Sequence, residues 1–176
     1  IDYGSGNLHS ALKSFQKVAN LNKKGDVLLS SDPQVIRIAD KIILPGVGSF
    51  NDCLNGLKSN EELFSRISER VLNDGVPFLG ICVGLQLLAN YGHEHIANSP
   101  GLGWLNGEVK RICPQNKNTK IPHMGWNSLV FDKEHSLTKK LKSKIDMYFV
   151  HSYHFELSDL KYRLAYAEYS GKITAI

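Results

Sequence analysis

Apolar residues recur every three to four positions at Leu8, Ala11, Leu12, Phe15, Val18 and Ala19, which predicts an amphipathic helix with that stripe against a core. Ahead of it, Ile1-Asp2 reads as the stub of a strand that runs into the turn Gly4-Ser5-Gly6-Asn7. Residues 26–29 predict a second strand. Asp32 then Pro33 supplies an N-cap and a proline at the first position of a short helix. Residues 41–44 predict a third strand, broken by Pro45-Gly46-Val47-Gly48. Ser59-Asn60-Glu61-Glu62 has the spacing of a capping box, and Leu63, Phe64, Ile67, Val71 and Leu72 give the helix after it a core face. Residues 76–81 predict a fourth, buried strand, and residues 83–91 a helix. From about Gly103 the texture turns β-rich, with strands expected at 108–112, 127–131, 147–153 and 163–169, while 92–101 and 114–120 read as surface connections. Short apolar strands alternating with amphipathic helices predict an α/β fold: an open, mostly parallel sheet flanked by helices, with a β-rich C-terminal half. The sequence has no internal repeat, low-complexity tract or long linker, so one domain over residues 1–176 is expected.

Composition narrows the function classes. Its 176 residues are 42% hydrophobic and 22% charged, the balance of an ordinary globular domain. The longest apolar runs, at 41–44 and 76–83, fall far short of the roughly 20 residues that span a bilayer, so no membrane role is expected. The net charge of +4 is mild and its lysines are scattered, with small clusters at 139–140 and 142–144, which does not favour a nucleic-acid partner. Cys53, Cys82 and Cys113 form no CxxC pair and no disulfide framework, which fits a reducing, cytoplasmic setting and leaves room for a working thiol. No signal peptide opens the chain, and the start Ile1-Asp2-Tyr3 without Met is expected to be a trimmed end. His93 and His95 read as a solvated loop, and no metal or other cofactor is expected.

The densest chemical signal is Gly80-Ile81-Cys82-Val83-Gly84-Leu85-Gln86, placed after a buried strand and before an apolar helix. A nucleophile flanked two residues away by glycines on both sides is the pattern of a nucleophile elbow, where close backbone packing lifts one side chain above the sheet edge. At a helix N-terminus the positive dipole end would favour the thiolate. The same residues also suit a tight turn with Cys82 as a small buried hydrophobe. Cys53, on a helix with Leu54 and Leu57, and Cys113, at a strand end, read as inert thiols. Pro45-Gly46-Val47-Gly48-Ser49 also ends a predicted strand, where ligands of open α/β sheets gather. Its backbone N–H groups could meet a developing oxyanion. A plain tight turn is the alternative, and no GK[ST] follows to make a phosphate loop.

Together these segments resemble the class I (triad) glutamine amidotransferases, whose fold is flavodoxin-like. Leu44-Pro45-Gly46-Val47-Gly48-Ser49-Phe50, Gly101-Leu102-Gly103-Trp104, Pro122-His123-Met124-Gly125-Trp126-Asn127 and Phe149-Val150-His151-Ser152-Tyr153 resemble more narrowly the glutaminase subunits of imidazole glycerol phosphate synthases. The resemblance implies Cys82 as nucleophile on glutamine, an oxyanion hole from the N–H groups of Val47 and Val83, and a glutamine pocket lined by Gly48, Gln86, Ser152 and Tyr153. It implies a heterodimer with a (β/α)8-barrel cyclase that receives the ammonia, contacted through Asn7, His123, Met124 and Trp126, the last three on a Gly-rich loop. His151 reads equally as a satisfied core histidine. The family's base and its orienter come from a His-x-Glu segment, usually His-Pro-Glu, expected downstream of Ile176. No His-Pro-Glu occurs in this sequence, and the chain is expected to lack its C-terminal end. The same resemblance also permits a paralogous glutaminase feeding a sugar amidotransferase in surface-polysaccharide synthesis; the rivals of other classes are a non-catalytic regulatory subunit that keeps the fold but not the triad, and, more weakly, a cysteine hydrolase of other amides.

Overall fold

The computed structural model describes residues 1–117, 119–141 and 144–176; Lys142, in one of the basic clusters, lies outside them. The chain divides into two compact units, Ile1–Leu88 and Ala89–Ile176. Among the described residues no helix is long and apolar enough to cross a membrane.

In the first unit, helix α1 (Leu8–Leu21) starts where the Asn7 side chain accepts from Ser10 N. Its apolar stripe is only half-buried and Val18 is exposed, so the full burial expected of that face is not found. Residues 26–29 are not a strand. Next to them is a single bond from Asp2 N to Ser30 O at 2.9 Å, where a ladder would need repeated ones. Asp32 caps α2 (Pro33–Ile38) by accepting from Gln34 N at 2.8 Å, as the Asp-Pro pair predicts. Strand β1 (Ile42–Gly46) lies parallel to β2 (Phe78–Cys82), with Gly46 opposite Cys82. Between them come α3 (Phe50–Lys58), capped by Ser49, and α4 (Glu61–Ser68). The cap of α4 is Asn60, whose side chain accepts from Leu63 N, while Ser59 Oγ–H donates back to Gly56 O; the cap thus lies one residue later than predicted, with Leu63 where a capping box would need Glu or Gln. Leu44, Phe50, Leu57, Leu63 and Ile67 are fully buried, each such side chain stabilising the fold by about 1.5–3 kcal/mol. The predicted helix at 83–91 is only α5 (Val83–Gln86). Beyond it, the backbone of Ala89 and Asn90 bonds to Gly103, Gly101 and Gly107 instead of continuing the helical ladder.

Among the described residues the second unit holds two four-stranded sheets, almost wholly antiparallel. One comprises β3 (Tyr91–Gly92), β4 (Ser99–Pro100), β5 (Gly107–Arg111) and β8 (Tyr153–Leu157), in the order β4-β3-β5-β8. The other comprises β6 (His123–Phe131), β7 (Asp146–His151), β9 (Ala165–Glu168) and β10 (Lys172–Thr174), in the order β10-β9-β6-β7. All four predicted C-terminal strands exist, and two need correction. His123, Met124 and Trp126 belong to the nine-residue strand β6 rather than to a loop, and the stretch predicted at 147–153 is split at Ser152. The backbone of Ser152 is used elsewhere: its carbonyl accepts from Ile112 N at 2.8 Å.

Candidate active site

The backbone at Cys82 departs from ordinary strand or helix geometry, with φ +56° and ψ −117°, a region that costs an L-residue about 1–3 kcal/mol. Packing on both sides holds it there. A Cβ on Gly84 would overlap the Leu44 carbonyl oxygen, and one on Gly80 would lie 2.5 Å from Gly84 O. A Cβ on Gly46 would lie 2.6 Å from Gly84 N and 3.0 Å from Val83 Cβ. Three glycines therefore let strand β1, strand β2 and the first turn of α5 approach more closely than any side chain allows, and the sharp turn leaves Cys82 exposed. Val83 N–H is directed at the Cys82 sulfur and lowers its pKa. Desolvation outweighs that bond, and nearby Cys53 adds to it, so the thiol is pushed above its ordinary pKa. The start of the helix favours the thiolate through Val83 N–H, as expected, but burial outweighs it. The helix has four residues, too few aligned peptide units to build much of a dipole.

Pro45 and Gly46 are the last two residues of β1 rather than a break after it, and Val47-Gly48 turns away beside this elbow. Val47 is 60% exposed, and Gly48 takes φ +121° with open space where a Cβ would be. Beneath the turn, Tyr3 Oη–H donates to Pro45 O at 2.8 Å and Ser5 Oγ–H to Val47 O at 2.7 Å. Cys53 Sγ lies 3.2 Å from Ser5 Oγ and 3.5 Å from Val47 O. These contacts escape a reading of sequence alone, because Ser5 and Cys53 are 48 residues apart. Gln86 closes α5 and is half-buried.

In the second unit, register rather than sequence proximity builds a polar chain. His123 is paired with His151 across β6 and β7, and His123 Nδ1 lies 2.9 Å from His151 Nε2. His151 Nδ1 faces Tyr153 O at 2.9 Å, so that nitrogen carries the hydrogen. His151 Nε2 then accepts from His123 Nδ1–H, and His123 Nε2 accepts from Asn127 Nδ2 at 3.2 Å. The same amide nitrogen of Asn127 donates to Glu168 O. Burial disfavours the charged form of both rings. Desolvation, with the neighbouring His151 adding, pushes His123 down to about 4, and desolvation lowers His151 as well. His151 is thus a satisfied histidine beside the Ser152-Tyr153 backbone.

His123 is only 3% exposed and stacks on Phe149 and Tyr169, with centroids at 4.7 and 3.9 Å. Strand alternation sends its ring to one face of β6 and Met124 and Trp126 to the other, where they are 60% and 74% exposed. The surface role expected of His123 is therefore not one its side chain can fill. Across the register Met124 faces Val150 and Trp126 faces Tyr148, both also exposed. Asn7 is exposed and serves as the α1 cap. An open groove of about 800 Å³, bordered by Lys120, Pro122, Met124, Glu168 and Tyr169, lies in this unit and includes none of the elbow residues. A His-x-Glu spacing, His154-Phe155-Glu156, lies on β8, but Glu156 is tied to Lys110 at 2.7 Å and His154 Nδ1 is buried with no hydrogen-bond partner among the described residues. Among the described residues no cluster of His, Cys, Asp and Glu could hold a metal.

Comparison with known proteins gives the elbow a context. The family described as "Glutamine amidotransferase class-I" matches residues 1–176. An imidazole glycerol phosphate synthase subunit HisH from Ruegeria pomeroyi is 46% identical over 176 residues, covering all of this chain and 82% of the relative. HisH subunits of Cereibacter sphaeroides and Pelagibacter ubique are 47% and 41% identical, covering 100% and 98% of this chain and 82% of each relative. The chain belongs to the class I glutamine amidotransferases.

Proposed function

We propose that this protein is the glutaminase subunit of an imidazole glycerol phosphate synthase, hydrolysing glutamine to glutamate and ammonia for a cyclase partner in histidine biosynthesis. The observation that carries the reading is the Cys82 elbow, strained to φ +56° by three close-packed glycines and opened to solvent. The names of the HisH relatives support the pathway over the polysaccharide paralogue.

In the mechanism, Cys82 Sγ attacks the carboxamide carbon of glutamine. The new C–S bond pushes the carbonyl electrons onto oxygen, which Val83 N–H and Val47 N–H stabilise as an oxyanion. The oxyanion collapses, the C–N bond breaks, and the amide nitrogen takes a proton and leaves as ammonia. Water then cleaves the thioester to glutamate and restores the thiol. Since the thiol is pushed up in pKa, deprotonation needs an imidazole, which we assign to a His-x-Glu segment of the family type. We assign glutamine binding to Gly48, Gln86, Ser152 and Tyr153, on the family resemblance of their segments. Asn7, Met124 and Trp126 meet a (β/α)8-barrel cyclase in a cytoplasmic heterodimer, to which His123 contributes through its strand.

Replacing Cys82 by Ala or Ser in the complex is expected to abolish glutamine-dependent synthesis, with losses on the order of a million-fold where a nucleophile is removed from a triad. Synthesis with added ammonium salt should persist. Glutamine turnover that survives Cys82→Ala would refute the assignment.

A further inference from the structure

The underside of the Pro45–Gly48 turn has no part in the chemistry described so far, yet it holds both of the turn's outer carbonyls. Ser5 Oγ is 2.7 Å from Val47 O and 3.2 Å from Cys53 Sγ, and Cys53 Sγ is 3.5 Å from Val47 O. Proton counting orders these contacts. The single hydroxyl hydrogen of Ser5 goes to Val47 O, so the thiol hydrogen of Cys53 goes to Ser5 Oγ or is shared with Val47 O. Cys53 is 0% exposed, so no water competes for its hydrogen. On the other side Tyr3 Oη–H holds Pro45 O. Burial raises the Tyr3 pKa, so this phenol remains a donor throughout the physiological range.

We infer that Ser5 and Cys53 form a two-donor anchor on the Val47 carbonyl, positioning the turn's N–H groups for an oxyanion at Cys82; they are positioning residues for the reaction proposed above, on which this inference rests. The geometry follows from the planarity of the peptide. In a trans peptide the C=O and the next N–H point in opposite directions, so a Val47 carbonyl tied inward turns Gly48 N–H outward. Gly48 accommodates this at φ +121°, a conformation glycine adopts without strain. With Pro45 O held by Tyr3 and Val47 O by the Ser5–Cys53 pair, the peptide that carries Val47 N–H lies between two fixed points. Gly46 adds a third constraint, since its α-carbon is packed against Gly84 N and Val83. The carbonyls on either side of the Gly46–Val47 peptide are therefore held by residues that never touch the substrate, and Cys53, far from inert, belongs to the device.

The test uses the full protein with its cyclase partner and compares Ser5→Ala, Cys53→Ala and the double variant with Cys53→Ser, which keeps a donor at that position. The anchor predicts that the double variant loses roughly 10- to 100-fold in glutaminase kcat with KM changed less than about threefold, the cost of a misaligned oxyanion donor. Cys53→Ser should stay within about threefold of the unaltered protein. Amide hydrogen exchange at residues 46–49 should accelerate at least about tenfold in the double variant and not at the buried residues of α4. An active protein whose double variant keeps its kcat and its exchange rates would overturn the inference. If Cys53→Ser falls as low as Cys53→Ala, packing rather than donation is at work, and the inference is again overturned. Failure of the functional reading looks different: the unaltered protein would neither turn over glutamine nor be labelled at Cys82 by a glutamine-mimicking electrophile. The catalytic claim would then fall with it, and the exchange measurement alone would decide whether the anchor exists.

Discussion

Cys82 combines a backbone suited to a nucleophile with a thiol that is not yet one. Its exposure and φ of +56° present the sulfur, while desolvation outweighs the Val83 N–H bond and disfavours charge. The elbow needs glycine at 46, 80 and 84 for reasons of space, but space does not set protonation. The rate of Cys82 alkylation by iodoacetamide in this chain, read by peptide mapping, should therefore climb with pH to a midpoint above the value of about 8.5 for a free cysteine. A midpoint below 7 would mean that the chain stabilises the thiolate unaided, and would remove the need for an imidazole from a His-x-Glu segment. The elbow was legible in the sequence because GxCxGxQ is a local pattern fixed by close packing. The raised pKa was not, since it depends on which groups fold around the sulfur.

Elements repeat the contrast. Asp32-Pro33 and the 3.6-residue period of residues 8–19 could be read directly because caps and stripes are local. The short α5 and the continuous nine-residue β6 could not, since partners distant in the chain decide them: Gly101, Gly103 and Gly107 take up the backbone after Leu88, and β7 and β9 extend β6. The Asn127–His123–His151 chain belongs to that second kind, with its two rings 28 residues apart and joined only by strand register. It carries a pH prediction. The pKa of His123 in the fold, about 4, lies below its ordinary value of 6.5, so the unfolded chain binds the proton more readily. Stability is then complete above about pH 6.5 and is lost as the pH falls from there toward 4, by at most about 3.5 kcal/mol at roughly 1.4 kcal/mol per pKa unit. The titrating neighbour within the chain is His151, also lowered, and the other groups around the ring are Asn127, Phe149 and Tyr169. Thermal unfolding at pH 7 and pH 5 should show a drop in Tm for the unaltered protein and a smaller one for His123→Gln. Equal drops would mean that the relay is not a neutral chain.

At the scale of the molecule, the second unit presents four exposed apolar or aromatic side chains together on one sheet face: Met124 and Val150 in one cross-strand pair, Trp126 and Tyr148 in the next. The Trp126 and Tyr148 rings meet edge to face with centroids 5.7 Å apart, so the pair is preorganised as a contact surface. Residues this exposed add little to the stability of the chain itself, yet aromatic anchors of this kind dominate the energy of protein interfaces. The two roles make opposite predictions for Trp126→Ala. If the face docks the cyclase, the variant should keep the Tm of the unaltered protein within about 1 °C. Its affinity for the partner, measured by calorimetry, should fall about 30-fold or more, the equivalent of a hot spot of about 2 kcal/mol. Glutamine turnover should show the same defect. We expect the Pro-Gly-Val-Gly turn to complete its oxyanion hole only when the partner holds its ligand, and one missing donor is worth about 2.7–4 kcal/mol, a hundred-fold or more in rate. The isolated subunit is thus expected to be slow, and the cyclase with its ligand to accelerate it. Trp126→Ala should shift that response to higher partner concentration without changing the slow rate of the subunit alone. A variant that loses Tm but binds the cyclase normally would assign Trp126 to the fold, and a lone subunit as fast as the complex would refute the coupling.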